Sequence, residues 1–295
     1  MKILITGSNG LLGQKLVEFC IEKSIDFIAT SSGDNRNPLC PLMNYKSMDI
    51  TNGDAVEQII FESSPTHVIH TAAITNVDYC QLHPDECEKV NNNAAQFLAE
   101  TCEKLNIHFQ FLSTDFVFDG EKGNYSEEDE VNPLSIYGAS KAATENFLIH
   151  GDYKNWSIVR TIIVYGKGNN LSRSNLIVWA KESLENGIAM KIIDDQFRAP
   201  TFVDDLAQAC LEIITREATG IYNISGPETY SIFEIVSKIA AHFDYSLENV
   251  ERISSLTLNQ PAKRPSKTGF NIAKAKNELN YSPRTIEESL ELIFH

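Results

Sequence analysis

The stretch KILITGSNGLLG at residues 2–13 is the part of the sequence that decides the fold. A short apolar run is followed by glycines at positions 7, 10 and 13, and the apolar residues that come next have helical spacing. A strand that leads through a glycine turn into a helix is the context that a dinucleotide-binding site requires. We therefore predict that backbone N–H groups at the start of the helix face a pyrophosphate. The residues expected there are Gly7, Asn9, Gly10, Leu11, Leu12 and Gly13.

Apolar strands alternate with amphipathic helices from this turn to about residue 166. A long helix is expected over residues 84–105, and a shorter one from Ser140 to Leu148. Such alternation predicts an α/β fold, namely a Rossmann-type, doubly wound parallel sheet with helices on both faces. The alternation weakens after Gly166. We expect residues 1–166 to form the dinucleotide-binding core. Residues 167–295 are expected to form mainly a smaller C-terminal substrate-binding lobe, with some segments returning to the core.

The composition limits the classes of partner. The 295 residues carry a net charge of −15, which disfavours binding to nucleic acid and to anionic membranes. An anionic small ligand would need local positive groups. The six cysteines contain no pair with the spacing of a zinc or redox site, so we expect structural thiols in a reducing compartment and no metal site. No apolar run approaches 18 residues, and we expect a cytoplasmic protein.

The end of the second predicted strand bears on the choice of cofactor. An acidic residue there would favour NAD through its ribose hydroxyls, but this chain has Ser31 and Ser32, with Arg36 just beyond. Serines can bind a 2′-phosphate and Arg36 could neutralise it, so NADP(H) is favoured over NAD(H). Asp49 and Ile50 follow the third predicted strand and are expected beside the adenine.

Tyr137 and Lys141 form the second strong pattern. Residues four apart lie on one face of a helix, so these two side chains share a site. A free tyrosine has a pKa near 10, and a nearby ammonium is expected to lower it toward the range useful for proton transfer. Tyr137 is therefore the expected proton donor. A hydroxyl at the end of the preceding strand completes the group, as Thr114 or Ser113.

With these residues in place, the chain resembles the extended short-chain dehydrogenase/reductase superfamily, and within it the dTDP-4-dehydrorhamnose reductase family. The glycine turn and the Tyr–Lys pair identify only the superfamily. The segments STDFVFDG at residues 113–120 and DQFRAPT at residues 195–201 point to the reductases. The similarity runs along nearly the whole chain.

The resemblance implies NAD(P)H-dependent reduction of the 4-keto group of a nucleotide-linked deoxysugar, in the synthesis of cell-surface polysaccharide precursors. Tyr137 would protonate the carbonyl oxygen, Thr114 would hydrogen-bond it, and Lys141 would also hold the nicotinamide ribose. Ala72, Ala73 and Ser113 would flank the cofactor, and Asn91 would belong to a structural proton relay. Gln196, Arg198 and Arg264 are candidates for the nucleotide diphosphate. The full set of expected substrate residues is Thr75, Val77, Asp78, Phe116, Gln196, Arg198 and Arg264.

Two departures from the family bear on the substrate. Ile163 stands where the reductases usually carry Trp, and Arg198 where they usually carry Gly and many epimerase-like relatives carry Arg. Two alternative functions also stay open: an NAD-dependent sugar-nucleotide epimerase or dehydratase, and a non-catalytic cofactor-binding regulatory subunit like the methionine adenosyltransferase beta subunit. A homodimer is also an expectation. Some family members bind magnesium between subunits, but no ligand set for it is visible in this sequence.

Overall fold

The computed structural model describes residues 1–294, and thirteen strands lie within that range. Seven of them form one large sheet and the other six form three two-stranded pairs. In chain order the strands are β1 (Lys2–Thr6), β2 (Asp26–Ser31), β3 (Tyr45–Ser47), β4 (His67–His70), β5 (His108–Thr114), β6 (Trp156–Thr161), β7 (Val164–Tyr165), β8 (Met190–Ile193), β9 (Phe197–Arg198), β10 (Thr201–Phe202), β11 (Gly220–Ile224), β12 (Tyr230–Ser231) and β13 (Val250–Ile253).

Eleven α-helices lie within the described residues, together with a π-helical turn at Glu88–Asn93. The helices are α1 (Leu11–Glu22), α2 (Gly53–Ser63), α3 (Val77–Leu82), α4 (Pro84–Cys87), α5 (Ala94–Lys104), α6 (Ile136–His150), α7 (Leu176–Glu185), α8 (Val203–Thr215), α9 (Ile232–Phe243), α10 (Ala273–Leu279) and α11 (Ile286–Phe294). In residues 1–294, no helix combines the length and the apolar character that crossing a membrane would require.

The large sheet has the order β11-β6-β5-β4-β1-β2-β3, and every pairing in it is parallel. Strands β2 and β3 are added on one side of β1, and β4 and the later strands are added on its other side. The strand order therefore reverses between β1 and β4, which is where ligands bind in open parallel sheets. The predicted Rossmann-type doubly wound fold is confirmed.

Strand β1 explains why the sequence shows a continuous apolar run at this point. Ile3 and Ile5 pack into one core cluster with Leu16 of α1, whereas Leu4 packs into a second cluster with Leu98 of α5. Alternate residues of a strand point to opposite faces, so a sheet covered by helices on both sides needs apolar residues at every position.

Some elements of the second half of the chain join the large sheet and its helices, and others form a separate apolar cluster. Helix α8 packs against α1, β11 extends the large sheet beside β6, and α10 packs against both β11 and α8. The remaining elements form a third apolar cluster, in which Ile177 of α7, Ile235 of α9 and Leu290 of α11 are buried together. The second half of the chain is thus anchored to the sheet at several points.

Two helices differ from the sequence prediction. The helix expected over residues 84–105 is interrupted by the π-helical turn, which places Asn91 and Asn92 in buried positions. Such turns occur mostly as local insertions within helices and often at functional sites. The helix expected from Ser140 begins earlier, at Ile136, because the hydroxyl of Ser135 accepts a hydrogen bond from the backbone of Gly138 and caps it.

Candidate active site

A cavity of about 860 Å³ opens at the carboxyl ends of β1, β4 and β5, beside the point where the strand order reverses. It brings together residues from both halves of the chain. All of the expected catalytic and cofactor residues line it, and so do three of the seven expected substrate residues. Those residues are Gly7, Asn9, Gly10, Leu11, Leu12, Gly13, Ser31, Ser32, Arg36, Asp49, Ile50, Ala72, Ala73, Thr75, Val77, Ser113, Thr114, Phe116, Tyr137 and Lys141.

The glycine turn leaves no room for side chains at two of its positions. Gly7 has φ of +69°, and a Cβ atom there would lie 2.7 Å from the backbone nitrogen of Ala72. A Cβ at Gly13 would lie 2.4 Å from the carbonyl oxygen of Gly7. Gly10 caps helix α1 without any side-chain hydrogen bond, so the first N–H groups of the helix have no side-chain cap. The turn has the shape and polarity that a pyrophosphate requires.

Asn9 fixes the loop that follows β2 against this turn. Its backbone N–H donates to the Ser31 hydroxyl at 3.0 Å, and its side-chain amide donates to the Asp34 carbonyl at 2.8 Å. The oxygen of the same amide accepts from the backbone of Arg36 at 2.8 Å. The backbone and the side chain of the buried Asn9 together hold Ser31 and the exposed Arg36 at the same end of the cavity.

The residues of the cavity fit a nicotinamide dinucleotide. The hydroxyl oxygen of Ser113 is buried and has no hydrogen-bond partner within the protein, although its residue lines the cavity. Buried polar atoms are nearly always satisfied, so a ligand group is the expected partner. At the other end, the glycine turn leads into helix α1, whose first N–H groups have no side-chain cap and can bind a pyrophosphate.

Helix α6 presents Tyr137 and Lys141 to the cavity from its first turns. The ammonium of Lys141 donates to the carbonyl of Leu112 at 2.9 Å and lies 4.5 Å above the ring of Phe111. Burial lowers the pKa of Lys141 to about 8, although the charges of Cys87 and Glu145 oppose that shift.

Tyr137 lies beside Thr114, and the residue is buried. Burial raises the pKa of the Tyr137 phenol, and the adjacent Thr114 hydroxyl only partly opposes this. The expectation that the pKa of Tyr137 falls below its usual value is therefore wrong, because loss of hydration dominates in so buried a position. The phenol is held in its protonated form, which is the form that can donate a proton.

Four expected substrate residues do not line the cavity. Asp78 and Arg264 form a bidentate ion pair with each other, at 2.7 and 3.1 Å. Arg198 and Gln196 are buried, and Arg198 pairs with Asp115 at 3.6 Å. The three candidates for the diphosphate are thus buried or committed to carboxylates of the protein, because a charge removed from water needs a partner.

Arg173 was missed by the sequence reasoning. It lies in the loop before α7, it is exposed, and it lines the cavity. Its guanidinium donates to the hydroxyl of Thr75 at 2.7 Å and to the Thr75 carbonyl at 3.4 Å. These two partners are neutral. The residue lies outside any motif, so nothing but its basic character in a polar loop could have pointed to it.

Ile163 combines an unusual backbone with a position in the cavity wall. Its φ is +35°, a region that β-branched residues rarely adopt. Strain of this kind persists only where the surroundings impose it, and it is concentrated at functional sites. The departure from the family noted in the sequence therefore coincides with a strained backbone beside the catalytic residues.

Asn91 and His70 support the site from behind. The amide of Asn91 donates to the Ile74 carbonyl at 2.9 Å and its oxygen accepts from the backbone of Ile74 at 2.8 Å, which fixes the loop that carries Thr75. Nδ1 of His70 lies 2.8 Å from the Thr6 hydroxyl, and burial lowers the pKa of His70 to about 3. A ring that stays neutral in the core fits the role of a strand residue.

Two further groups of residues bear on metal and redox chemistry. Within residues 1–294 there is no cluster of three or more His, Cys, Asp or Glu side chains arranged to hold a metal ion. All six cysteines are free thiols in buried positions.

The model of one protein family, described as the RmlD substrate binding domain, matches residues 1–295. The dTDP-4-dehydrorhamnose reductase of Aggregatibacter actinomycetemcomitans is 30% identical over 99% of this chain and 98% of its own. The Haloferax volcanii protein named "Probable low-salt glycan biosynthesis reductase Agl14" is 29% identical over 98% of this chain and 96% of its own.

A solved structure is similar along the same length. The dTDP-4-dehydrorhamnose reductase of Bacillus anthracis, determined in complex with NADP, superposes with a TM-score of 0.86 at 28% identity. The match covers 99% of this chain and 98% of that one.

Proposed function

The chain belongs to the RmlD substrate binding domain family, and on that basis we propose the reaction that its cavity performs. The reaction is the NAD(P)H-dependent reduction of the 4-keto group of a nucleotide-linked deoxysugar, as in the dTDP-4-dehydrorhamnose reductases. The supporting observation is that the glycine turn lines the same cavity as Thr114, Tyr137 and Lys141. The glycine turn, where the cofactor would bind, and the proton donor Tyr137 thus line the same cavity.

Tyr137 supplies the acid for this step, and Lys141 supplies a positive charge near it. When bound, a reduced nicotinamide supplies a hydride to the carbonyl carbon. Tyr137 holds the proton that the carbonyl oxygen needs, because burial keeps its phenol protonated. The positive charge of Lys141 stabilises the negative charge that develops on the phenol as the proton leaves. The low exposure of Tyr137 and Lys141 also excludes water from the reacting atoms.

We propose that NADP(H) is the preferred cofactor. A 2′-phosphate needs hydroxyl donors and a cation at the end of β2, and Ser31, Ser32 and Arg36 are the lining residues at that end. Asn9 supports this proposal, since it ties the loop from Ser31 to Arg36 to the glycine turn.

For the substrate we propose that Arg173 binds the nucleotide diphosphate at the far end of the cavity. The protein carries a net charge of −15, so a dianionic ligand needs a local cation. Arg173 lines the cavity and donates only to the neutral groups of Thr75, whereas Arg198 and Arg264 are paired with carboxylates. Thr75, Val77 and Phe116 would then contact the sugar, between the core and the lobe formed by residues 167–295.

We also propose that the reaction takes place in the cytoplasm. Six buried free thiols suit a reducing compartment, where disulfides do not persist.

The proposal is tested by following NADPH oxidation with a panel of nucleotide-linked 4-keto deoxysugars. We expect one NADPH oxidised for each keto sugar consumed, with the dTDP-linked sugar among the substrates. An epimerase recycles its cofactor and would convert sugar without net oxidation. Binding of NADPH with no conversion of any sugar would favour a regulatory subunit instead.

A further inference from the structure

The loop of residues 166–175, which joins β7 to α7, forms one wall of the cavity. Residues 171–175 all line the cavity, and among them is Arg173, the proposed contact for the nucleotide diphosphate. The two ends of the loop are fixed to each other, since the side-chain amide of Asn175 donates to the carbonyl of Gly166 at 2.8 Å. The position of Arg173 therefore depends on what holds the middle of the loop.

Gln14, on helix α1, holds the middle of this loop. The residue follows Gly13 and is only 1% exposed. Its amide nitrogen donates to the carbonyl of Asn169 at 2.6 Å, and its amide oxygen accepts from the backbone N–H of Asn169 at 2.7 Å. The second hydrogen of the amide donates to the carbonyl of Asn9 at 3.2 Å. One amide group thus binds both the glycine turn and the loop, and both of its hydrogens are used.

The part of the turn that Gln14 contacts belongs to the proposed cofactor site. Asn9 is the residue that holds Ser31 and Arg36 at the end of β2. A second bond joins the same two regions, because the side chain of Asn170 donates to the carbonyl of Arg36 at 3.2 Å. The loop that carries Arg173 is therefore attached both to the glycine turn and to the segment proposed to bind the 2′-phosphate.

The bonds of Gln14 specify a position more than they stabilise the fold. Asn169 is exposed, so its backbone groups could bond to water if Gln14 were absent. The net stabilisation from exchanging water for a protein partner is small. An apolar side chain of similar length could fill the buried site on α1 without needing any partner. The amide is therefore the feature that determines where the loop lies relative to the turn.

We propose that Gln14 is a positioning residue that couples the cofactor site to the substrate site. NADPH at the glycine turn would hold the Asn9 side of the amide, and a nucleotide diphosphate at Arg173 would hold the Asn169 side. Each ligand orders a contact that the other needs, so each binds more tightly when the other is present. This inference rests on the proposed function, because it takes Arg173 as the contact for the diphosphate.

The test is calorimetric titration of the full chain with dTDP, without and with saturating NADPH. No hydride is transferred in this experiment, because dTDP has no keto group. We expect NADPH to lower the Kd of dTDP by about fivefold or more, and dTDP to lower the Kd of NADPH by the same factor. Gln14→Met keeps the length of the side chain and removes its three hydrogen bonds. In this variant both factors should fall below about twofold.

Gln110→Met is the matched control. Gln110 is also buried, and its amide donates to the carbonyl of Cys210, away from the residues that line the cavity. The same substitution there should lower Tm and leave the mutual effect of the two ligands unchanged. A merely structural role for Gln14 predicts that result for Gln14→Met as well, whereas the coupling role predicts loss of the mutual effect.

Asn170→Gly serves if Gln14→Met does not fold. Asn170 has a φ of +48°, which glycine adopts readily, and the variant removes the side-chain bond to Arg36. It should reduce the mutual effect in part. Unchanged factors in the folded variant, or independent binding of the two ligands to the unaltered protein, would overturn the inference, while NADPH oxidation by a keto sugar would still support the proposed function. No binding of dTDP and no turnover of any keto sugar would reject both.

Discussion

Nζ of Lys141, on helix α6, donates a 2.9 Å hydrogen bond to the carbonyl oxygen of Leu112, on strand β5. This bond joins the helix that carries Tyr137 to the strand that ends at Thr114. We propose that the ammonium has two functions. It fixes the spacing of helix and strand, and its positive charge stabilises the phenolate as Tyr137 gives up its proton.

The first prediction concerns alkaline pH. Burial lowers the pKa of Lys141 to about 8, so the ammonium loses its proton as the pH rises through that value. We expect kcat/KM to fall over the same range, because the charged form is the one that stabilises the phenolate. A pH–rate profile from pH 6 to 10 checks this. A rate that stays level up to pH 10 would show that the charge of Lys141 is not needed.

The second prediction concerns the proton donor. Tyr137→Phe removes one hydroxyl from a buried ring and should lower kcat by about 10²- to 10⁴-fold, the usual contribution of a positioned general acid. NADPH affinity, measured by fluorescence titration, should stay within a factor of about three if the phenol acts on the substrate alone. Turnover close to that of the unaltered protein would remove Tyr137 from the mechanism.

Two substitutions in the glycine turn are expected to differ in how severely the new Cβ atom clashes with the backbone. Gly13→Ala places a Cβ 2.4 Å from the Gly7 carbonyl, so it should lower Tm by several degrees as well as weaken NADPH binding. Gly10→Ala brings its Cβ only to 3.2 Å from the same atom, and should weaken NADPH binding with little change in Tm. Calorimetry and cofactor titration separate the two effects. Equal Tm values for the two variants would contradict the steric argument.

A fourth prediction addresses the 2′-phosphate. Arg36→Ala should weaken NADPH binding by about tenfold to a hundredfold, the range expected for a lost charge-assisted hydrogen bond. NADH, which lacks the phosphate, is the internal control and should bind the variant as it binds the unaltered protein. Equal losses for both cofactors would place Arg36 away from the 2′ position.

Arg173→Met tests the proposed diphosphate contact. The variant should raise the KM for the keto sugar by about tenfold, and kcat and NADPH affinity should change little, because the lost interaction is made equally in the ground and transition states. Arg216→Met removes an exposed ion pair with Glu212 on α8 and is the matched control. A lowered kcat at unchanged KM would assign Arg173 to the chemical step instead.

The fold and the centre of the cavity could be predicted because they depend on short-range patterns. The glycine spacing from Gly7 to Gly13 and the spacing of Tyr137 and Lys141 are local properties of a turn and a helix. The apolar runs of the strands follow from burial on both faces of the sheet.

The residues available to bind the substrate could not be predicted, because ion pairs formed on folding decide which arginines are free to contact a ligand. Arg198 and Arg264 look available in the sequence, but their partners Asp115 and Asp78 are distant in the chain and close only after folding. The positive φ of Ile163 depends likewise on the packing around it and has no signature in the sequence.

The most direct test of the central claim is the fate of the hydride. The protein would be supplied with NADPH that carries deuterium at both C4 positions of the nicotinamide and with a nucleotide-linked 4-keto deoxysugar, and the product examined by NMR. We predict one deuterium at C4 of the product sugar, with one NADPH consumed for each product formed. A product without deuterium at C4, or conversion without net oxidation of NADPH, would contradict the account.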